Sequence, residues 1–431
     1  MLKFLTTMNS NNESDDSTTM FQELMKKFSY SGSLLEHWLE EFGLDYMLKL
    51  IENLRTPMKT LWVQVNTNKI DFDSLLEIFY ERGFSAKKHD FLDDFIEVDV
   101  IKRDFETKLS DLPIVKVDHE ASTGIALGKD VQTANVTKYD EFNAGDELCI
   151  LDGANNLIAK GIADVNSTEI PNLTQREIIN VTESIAYAPP LAEMRIYRRG
   201  YFNILTPIQA LGVKSLSLSA RDSILIMSTD KGDVASYIAE LTNHKVPITV
   251  LAQNDMQVKA IRKNLERAKS KAIRIHRTSF HGFLNEHHEI KYTVAYIEPQ
   301  NSRTAVIPIF SSNLGYNLLK KFGDDQKKLI NDLYKCLHKR AVIAYVTHSI
   351  DYLENEEVVK NISEKAYYKF INHADTLKGL KEKNKLRARD IPEQYKEIAA
   401  KIKKSTIFLD PIEINNSGGF LANFALKEKE N

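Results

Sequence analysis

Any chemistry in this chain has to come from a short list of residues. Its two cysteines, Cys149 and Cys336, stand far apart, too few and too separated for a disulfide framework or a cysteine-based zinc site. Cys336 falls inside the helical pattern NDLYKCLHK and Cys149 inside the strand pattern ELCILD, where a thiol reads as a small core residue. His348, in AYVTHSIDYLENEEVV, has a side chain whose ordinary pKa lies near neutrality, so it can serve as nucleophile or general base. The blander reading is a polar residue that fills a turn and meets a binding partner. RIHRTSFHGFLNEHHE gathers His276, His281, His287 and His288 with Glu286 and Glu289, but the spacing matches no ligand-bearing helix, so a polar loop is expected and no metal. Asp230, Lys231 and Asp233 follow an apolar run and could face a nucleotide, yet their turn is poor in glycine.

A length of 431 residues predicts two or three domains, and 43% apolar with 27% charged residues predicts a globular protein. Residues 1–27 read as a disordered tail. Residues 28–110 read as a small α/β module, with helical spacing in SLLEHWLEEFG, DYMLKLIENL and DFDSLLEIFYERGF and strands at LWVQVN and FIEVDVI. Residues 111–182 carry short β-type runs with turn signals at NAGDE and DGANN, the pattern of a small barrel. From 183 to 431, strands such as SILIMS, PITVLA, TVAYIEP and AVIAYVT alternate with amphipathic helices, which predicts a doubly wound, Rossmann-like α/β sheet. No apolar run reaches membrane-spanning length, and a cytoplasmic protein is expected.

Net charge is only −3, but it is unevenly spread. Residues 256–277 hold eight Lys/Arg against one Glu, and residues 378–404 hold ten against four acids. Such clusters suit a phosphate-binding face, although a solvated helix surface gives the same pattern.

The order of parts carries a resemblance. Asp118-His119-Glu120-Ala121, the Gly145-Asp146-Glu147 turn and Leu157-Ile158-Ala159-Lys160-Gly161 fall where a PUA domain, a small RNA-binding barrel, has its markers. The flanks resemble the Sun family of RNA cytosine-5 methyltransferases, in the branch with a PUA domain inserted before the catalytic domain. SLLEHWLEEFG with LWVQVNTNKIDFDSLL matches the family's opening, with Gln64 at the family's arginine, and ENEEVV (354–359) and GGFLANF (418–424) match later segments. The resemblance implies an S-adenosylmethionine methyltransferase fold, and in such enzymes a cysteine thiolate adds to C6 of cytosine while a second cysteine assists release.

The same resemblance implies where those groups should stand. The nucleophile's "T-C-S" reads Thr347-His348-Ser349, and "D-A-P-C-S-G" reads Glu298-Pro299-Gln300-Asn301-Ser302-Arg303, so Asn301 and His348 occupy the cysteine positions. Of the cofactor turn, aligned over Ile226, Ser228, Asp230, Gly232 and Asp233, only Gly232 is kept. The acid expected after the second strand falls on Ala252 or Gln253, with Asp255 read as a helix cap, and the entry-segment glutamine falls on Leu205. The expectation is therefore a pseudoenzyme with no cofactor. It would bind transfer or ribosomal RNA as a ribosome- or tRNA-associated factor, or serve as a non-catalytic subunit of an active methyltransferase. An enzyme of altered chemistry depending on Glu298, Asn301 or His348 stays open. RNA contacts are expected from Lys116, His119 and Lys160 in the barrel, Arg195, Arg198 and Arg199, the helix residues Lys259, Arg262, Lys263 and Arg267, and Lys385, Arg387 and Arg389.

Overall fold

The computed structural model describes residues 22, 24–25, 30–90, 92–105, 111–309, 314–372 and 393–427. The expected tail falls almost wholly outside these residues, as do Lys385, Arg387 and Arg389. The chain divides into two compact units, one within 1–57, 101–187 and 308–318, the other within 58–100, 188–307 and 319–431. The span 28–110 is shared between them. Its first two helices and the short strand Ile101–Lys102 go with the first unit, and its third helix, Phe72–Glu81, and its other strands go with the second.

In the first unit, Ser31 caps helix Gly32–Phe42 by accepting from Leu34 N, and Gly43, at φ 74°, turns the chain into helix Leu44–Leu54. Leu34, Leu35, Trp38, Met47 and Leu50 bury the shared face. Beside the two-stranded pair Ile101–Lys102 and Ala186–Tyr187, the rest includes the barrel strands, a six-stranded sheet ordered Val131–Gln132, Glu177–Ser184, Leu157–Ala163, Glu147–Leu151, Ile114–Val117 and Val136–Tyr139. Its core is aliphatic, centred on Val115, Val117, Ile150, Ile158 and Ile179. At Gly161 a Cβ would lie 2.5 Å from Asn180 O, so the two central strands can approach only with glycine there. Helix His119–Ala126 begins where Asp118 accepts from Ala121 N at 2.7 Å.

In the second unit a small antiparallel sheet comes first. It contains β1 (Thr60–Val65), β2 (Ala86–Lys88), β3 (Phe95–Asp99) and β4 (Phe202–Leu205), in the order β4-β1-β3-β2. Helix α1 (Phe72–Glu81) packs Leu75 and Phe79 on it. Then come α2 (Arg195–Arg198) and α3 (Pro207–Lys214), followed by the large sheet. Its strands are β5 (Ile224–Met227), β6 (Ile248–Ala252), β7 (Ile273–Arg277), β8 (Tyr292–Ile297), β9 (Leu337–Thr347), β10 (Tyr368–Phe370), β11 (Thr406–Leu409) and β12 (Gly419–Leu426). The order β7-β6-β5-β8-β9 is parallel, extended by antiparallel β12 and β10, with β11 also on β12. β5, β6 and β8 are continuous apolar runs because helices cover both faces of a parallel sheet. Those helices include α4 (Asp233–Leu241), α5 (Asp255–Ala268), α6 (Phe280–Glu286) and α7 (Tyr316–Leu333). Among the described residues no helix is long and apolar enough to cross a membrane. The cap of α5 is Asn254, accepting from Gln257 N at 2.8 Å, and not Asp255, which is the first helical residue.

Candidate functional site

Parallel α/β sheets bind ligands beyond the carboxyl ends of their strands, where the order of the strands reverses. Here β5 and β8 lie side by side at that reversal, and Glu298 follows β8 directly. Its carboxylate is 2% exposed and takes hydrogen bonds from Ser228 Oγ (2.8 Å), Thr229 Oγ1 (2.9 Å) and Gln209 Nε2 (3.1 and 3.3 Å). His348 Nδ1 lies 3.4 Å from Glu298 Oε1, and His348 Nε2 lies 2.8 Å from Thr206 Oγ1. Burial pushes the Glu298 carboxyl up, but the contact with His348 and the Ser228 and Gln209 bonds outweigh it, so its pKa falls below the ordinary value. Residues from three distant stretches thus form one line of carboxylate, imidazole and hydroxyl.

The turn after β5 is filled by its own side chains. Gly232 takes φ 102°, which a side chain would strain, and a Cβ there would meet Ile261 at 3.3 Å. Asp230 N donates to Ser228 Oγ, and Val234 N donates to Asp230 Oδ2 at 2.8 Å. Gln257 Nε2 reaches over from α5 to Ser228 O at 2.8 Å. Burial, then the Glu298 and Asp233 charges, push Asp230 up to about 7. Asp233 is held by Arg267 (2.9 Å) and Asn264 (2.8 Å).

Beside Glu298 opens a cavity of about 320 Å³ whose lining includes Met227, Leu251, Gln253, Phe280, Pro299 and Gln326. This is at the small end of ligand pockets. The fold class implies S-adenosylmethionine. The apolar walls and amide groups suit a nucleoside. The turn that would take an amino-acid group already uses the Asp230 and Val234 amides internally and carries the Asp230 carboxyl, so these residues do not fit the whole cofactor.

The Thr347-His348-Ser349 turn is pinned from behind. Thr347 Oγ1 donates to Asn355 Oδ1 at 2.6 Å, and Asn355 Nδ2 donates to Ser349 O at 2.8 Å. Glu354 accepts from Ser302 N (3.0 Å) and Gln326 Nε2 (3.0 Å), which ties the Glu298–Arg303 loop to the same segment. A side chain at Gly419 would collide with the Thr347 carbonyl. The ENEEVV and GGFLANF segments therefore hold these two loops in place. His348 is 4% exposed, which fits a turn-filling residue better than a surface contact with RNA. Asn301, 7% exposed, braces its own loop by donating to Pro299 O and accepting from Arg303 N. Cys336 lies just before β9 with its thiol pushed up to about 12 by burial, and Cys149 is buried in a barrel strand. His276 and His287 meet edge to face at 4.8 Å, while His281 pairs with Asp332 and His288 with Glu289.

The expected RNA contacts fall unevenly. His119, Arg195, Arg198, Arg199, Lys259, Arg262 and Lys263 are exposed. Lys116 donates to Asn155, and Lys160 lies 3.7 Å from Glu183. Arg267 is turned inward. It stacks 3.7 Å over Tyr197, pairs with Asp233 and donates to Phe202 O (2.8 Å) and Asn203 Oδ1 (2.9 Å), so it is a fastener of the fold. Gln209 and Thr206 were not singled out in the sequence, although Thr206-Pro207 followed by Gln209 is a readable capping box.

Fold and site together define a methyltransferase-type α/β protein carrying a PUA domain. The PUA family model matches residues 113–185. The chain is homologous to the tRNA (cytosine(72)-C(5))-methyltransferase of Pyrococcus horikoshii, being 23% identical over 337 residues, which span 77% of this chain and 85% of that protein. The crystal structure of NSun6 from Pyrococcus horikoshii with SFG superposes with a TM-score of 0.80 at 20% identity, covering 94% of this chain and 100% of that one. A methyltransferase homolog protein from Pyrococcus horikoshii gives 0.57 at 14% identity, covering 95% and 99%. These findings correct the non-enzyme expectation. The relative that matches along most of the chain is an enzyme, and two replaced cysteines do not make a protein inert. What the replacements change is which groups are available for chemistry.

Proposed function

We propose that this protein binds structured RNA, with transfer RNA the favoured class, and that its methyltransferase-fold unit works on the RNA so held. The observation that carries this reading is the PUA domain at 113–185 in a chain homologous along 77% of its length to a protein named for cytosine 72 of tRNA. The exposed cations Arg195, Arg198, Arg199, Lys259, Arg262 and Lys263 support it, because phosphate contacts supply most of the affinity of such proteins. Fluorescence anisotropy of the full chain with a labelled tRNA transcript, a ribosomal RNA fragment and poly-U tests it. Tight, salt-sensitive binding to the structured RNAs is expected, tRNA first. Binding no better than to poly-U refutes the reading.

A second feature favours chemistry without a thiol. Thr206, His348 and Glu298 stand in line at 2.8 and 3.4 Å, as a hydroxyl, a base and a carboxylate able to pass a proton, and of the three Glu298 lines the cavity. Mass spectrometry of nucleosides from tRNA incubated with the protein and a small-molecule cell extract tests it. A mass change lost in His348→Gln and Glu298→Gln supports acid–base work at this centre, and a change that survives both places the chemistry elsewhere.

A further inference from the structure

We propose that the open edge of the large sheet, between β7 and the C-terminal half of α5, is a phosphate-binding groove for an RNA strand. This deepens the RNA-binding reading and rests on it. β7 ends the strand order, so among the described residues its outer edge has no neighbouring strand in the sheet. Along it runs a groove of about 570 Å³ with Ile273 and Ile275 as floor and Arg262, Lys269 and Lys271 on its walls, against the single acid Glu266. Among the described residues none of these three cations is in an ion pair, whereas nearby Arg267 and Arg277 are consumed by Asp233 and Asp255.

The turn that carries two of the cations is built at a cost. Lys269 and Ala272 both adopt left-handed backbone, φ 56° and 60°, where side chains are disfavoured by about 1 kcal/mol each. That geometry exposes Lys269 and Lys271 on either side of Ser270, whose Oγ is buried and, among the described residues, has no hydrogen-bond partner. A hydroxyl so placed is an unused donor in the wall of the groove.

The fold also brings a second basic stretch to the same place. Lys69 Nζ donates to Arg199 O (3.1 Å) and Ala268 O (2.9 Å), and a Cβ on Gly200 would lie 2.6 Å from Ala268 Cα. The Arg198-Arg199 end of α2 therefore sits against the end of α5. The local field is positive. Burial lowers the pKa of His244, and the Lys69 and Lys271 charges lower it further. Cations converging on a groove with an apolar floor, from stretches of sequence far apart, suit a polymer with a charge at every repeat and bases between.

The test is the salt dependence of tRNA affinity, measured by anisotropy on the full chain. Arg262→Glu/Lys269→Glu/Lys271→Glu is expected to lower affinity at least tenfold and to reduce the slope of log K against log salt by about 2 to 3, while the Arg262→Lys/Lys269→Arg/Lys271→Arg protein keeps both. A control of equal charge change, Lys320→Glu/Lys321→Glu/Lys339→Glu, uses exposed residues away from the groove and is expected to cost much less. The groove is refuted if the first variant keeps wild-type affinity and slope, if the control loses as much, or if polyglutamate displaces tRNA as well as poly-U does. If the wild-type chain binds no RNA, the RNA-binding reading fails and the groove fails with it, a result distinct from the other three.

Discussion

Asp230 offers a quantitative check on the site. Its carboxyl is partly buried in the turn after β5, close to Glu298 and Asp233, with burial as the main cause of a pKa raised to about 7 from 3.8. A raised folded-state pKa means that the folded protein holds this proton more tightly than the unfolded chain does. The stabilisation is fully present below pH ~4 and is lost as pH rises through about 7. About three pKa units at 1.36 kcal/mol each give a ceiling of ~4 kcal/mol, and partial exposure of the side chain brings the expected value to ~2 kcal/mol. Asn at this position keeps an acceptor for Val234 N and removes the charge. Asp230→Asn should match the wild type near pH 4 to 5 and become about 2 kcal/mol more stable by pH 8. Taking the difference between the two proteins cancels the similar contributions of buried Glu240 and Glu354, both raised to about 7. Hydrogen exchange of the α4 amides from pH 5 to 8, corrected for intrinsic rates, measures it locally. Parallel profiles for the two proteins would refute the placement of Asp230 as a buried, carboxylate-flanked group.

Other substitutions separate structural from surface roles. Arg267→Ala should cost about 3 kcal/mol in urea unfolding, because it leaves Asp233 buried without its cation, and Arg267→Lys should recover only part of that. Arg262→Ala, at an exposed position on the same helix, should change stability by less than ~0.5 kcal/mol in the same assay. His348→Ala should cost about 2 to 4 kcal/mol by opening a cavity and stripping Glu298 of its neighbour, visible as a lowered thermal midpoint. Gly161→Ala should destabilise the barrel by about 2 kcal/mol or more, since the added methyl would lie 2.5 Å from Asn180 O; limited proteolysis within 113–185 would report it.

Much of the architecture was legible because it follows from local pattern. Runs such as ILIM, ITVLA and YTVAYI are almost wholly apolar because both faces of a parallel sheet are covered, and the alternation with amphipathic helices then leaves few topologies. The barrel showed through its turns, whose glycines and Asx residues are set by backbone geometry. Boundaries were less secure. Asn254 and Asp255 are both good caps, and which one accepts from the first turn is decided by the backbone around them. The split of residues 28–110 was illegible for a related reason. Helices and strands adjacent in sequence announce their own periodicity but not which core will bury them.

Local pattern alone specifies the sheet and the barrel, and residue identity alone specifies that no thiol stands at 301 or 348. Tertiary structure decided what those residues do. Gln209, Ser228 and Thr229 converge on Glu298, and His348 reaches Thr206 across 142 positions, because separate strand ends meet at one edge of the sheet. Arg267 and Lys269 are two residues apart and equally basic on paper, yet one closes on Asp233 and the other faces a groove. Charge is a property of a residue. Whether that charge is spent inside the fold or left for a partner depends on which neighbours the packed chain brings within a few ångströms.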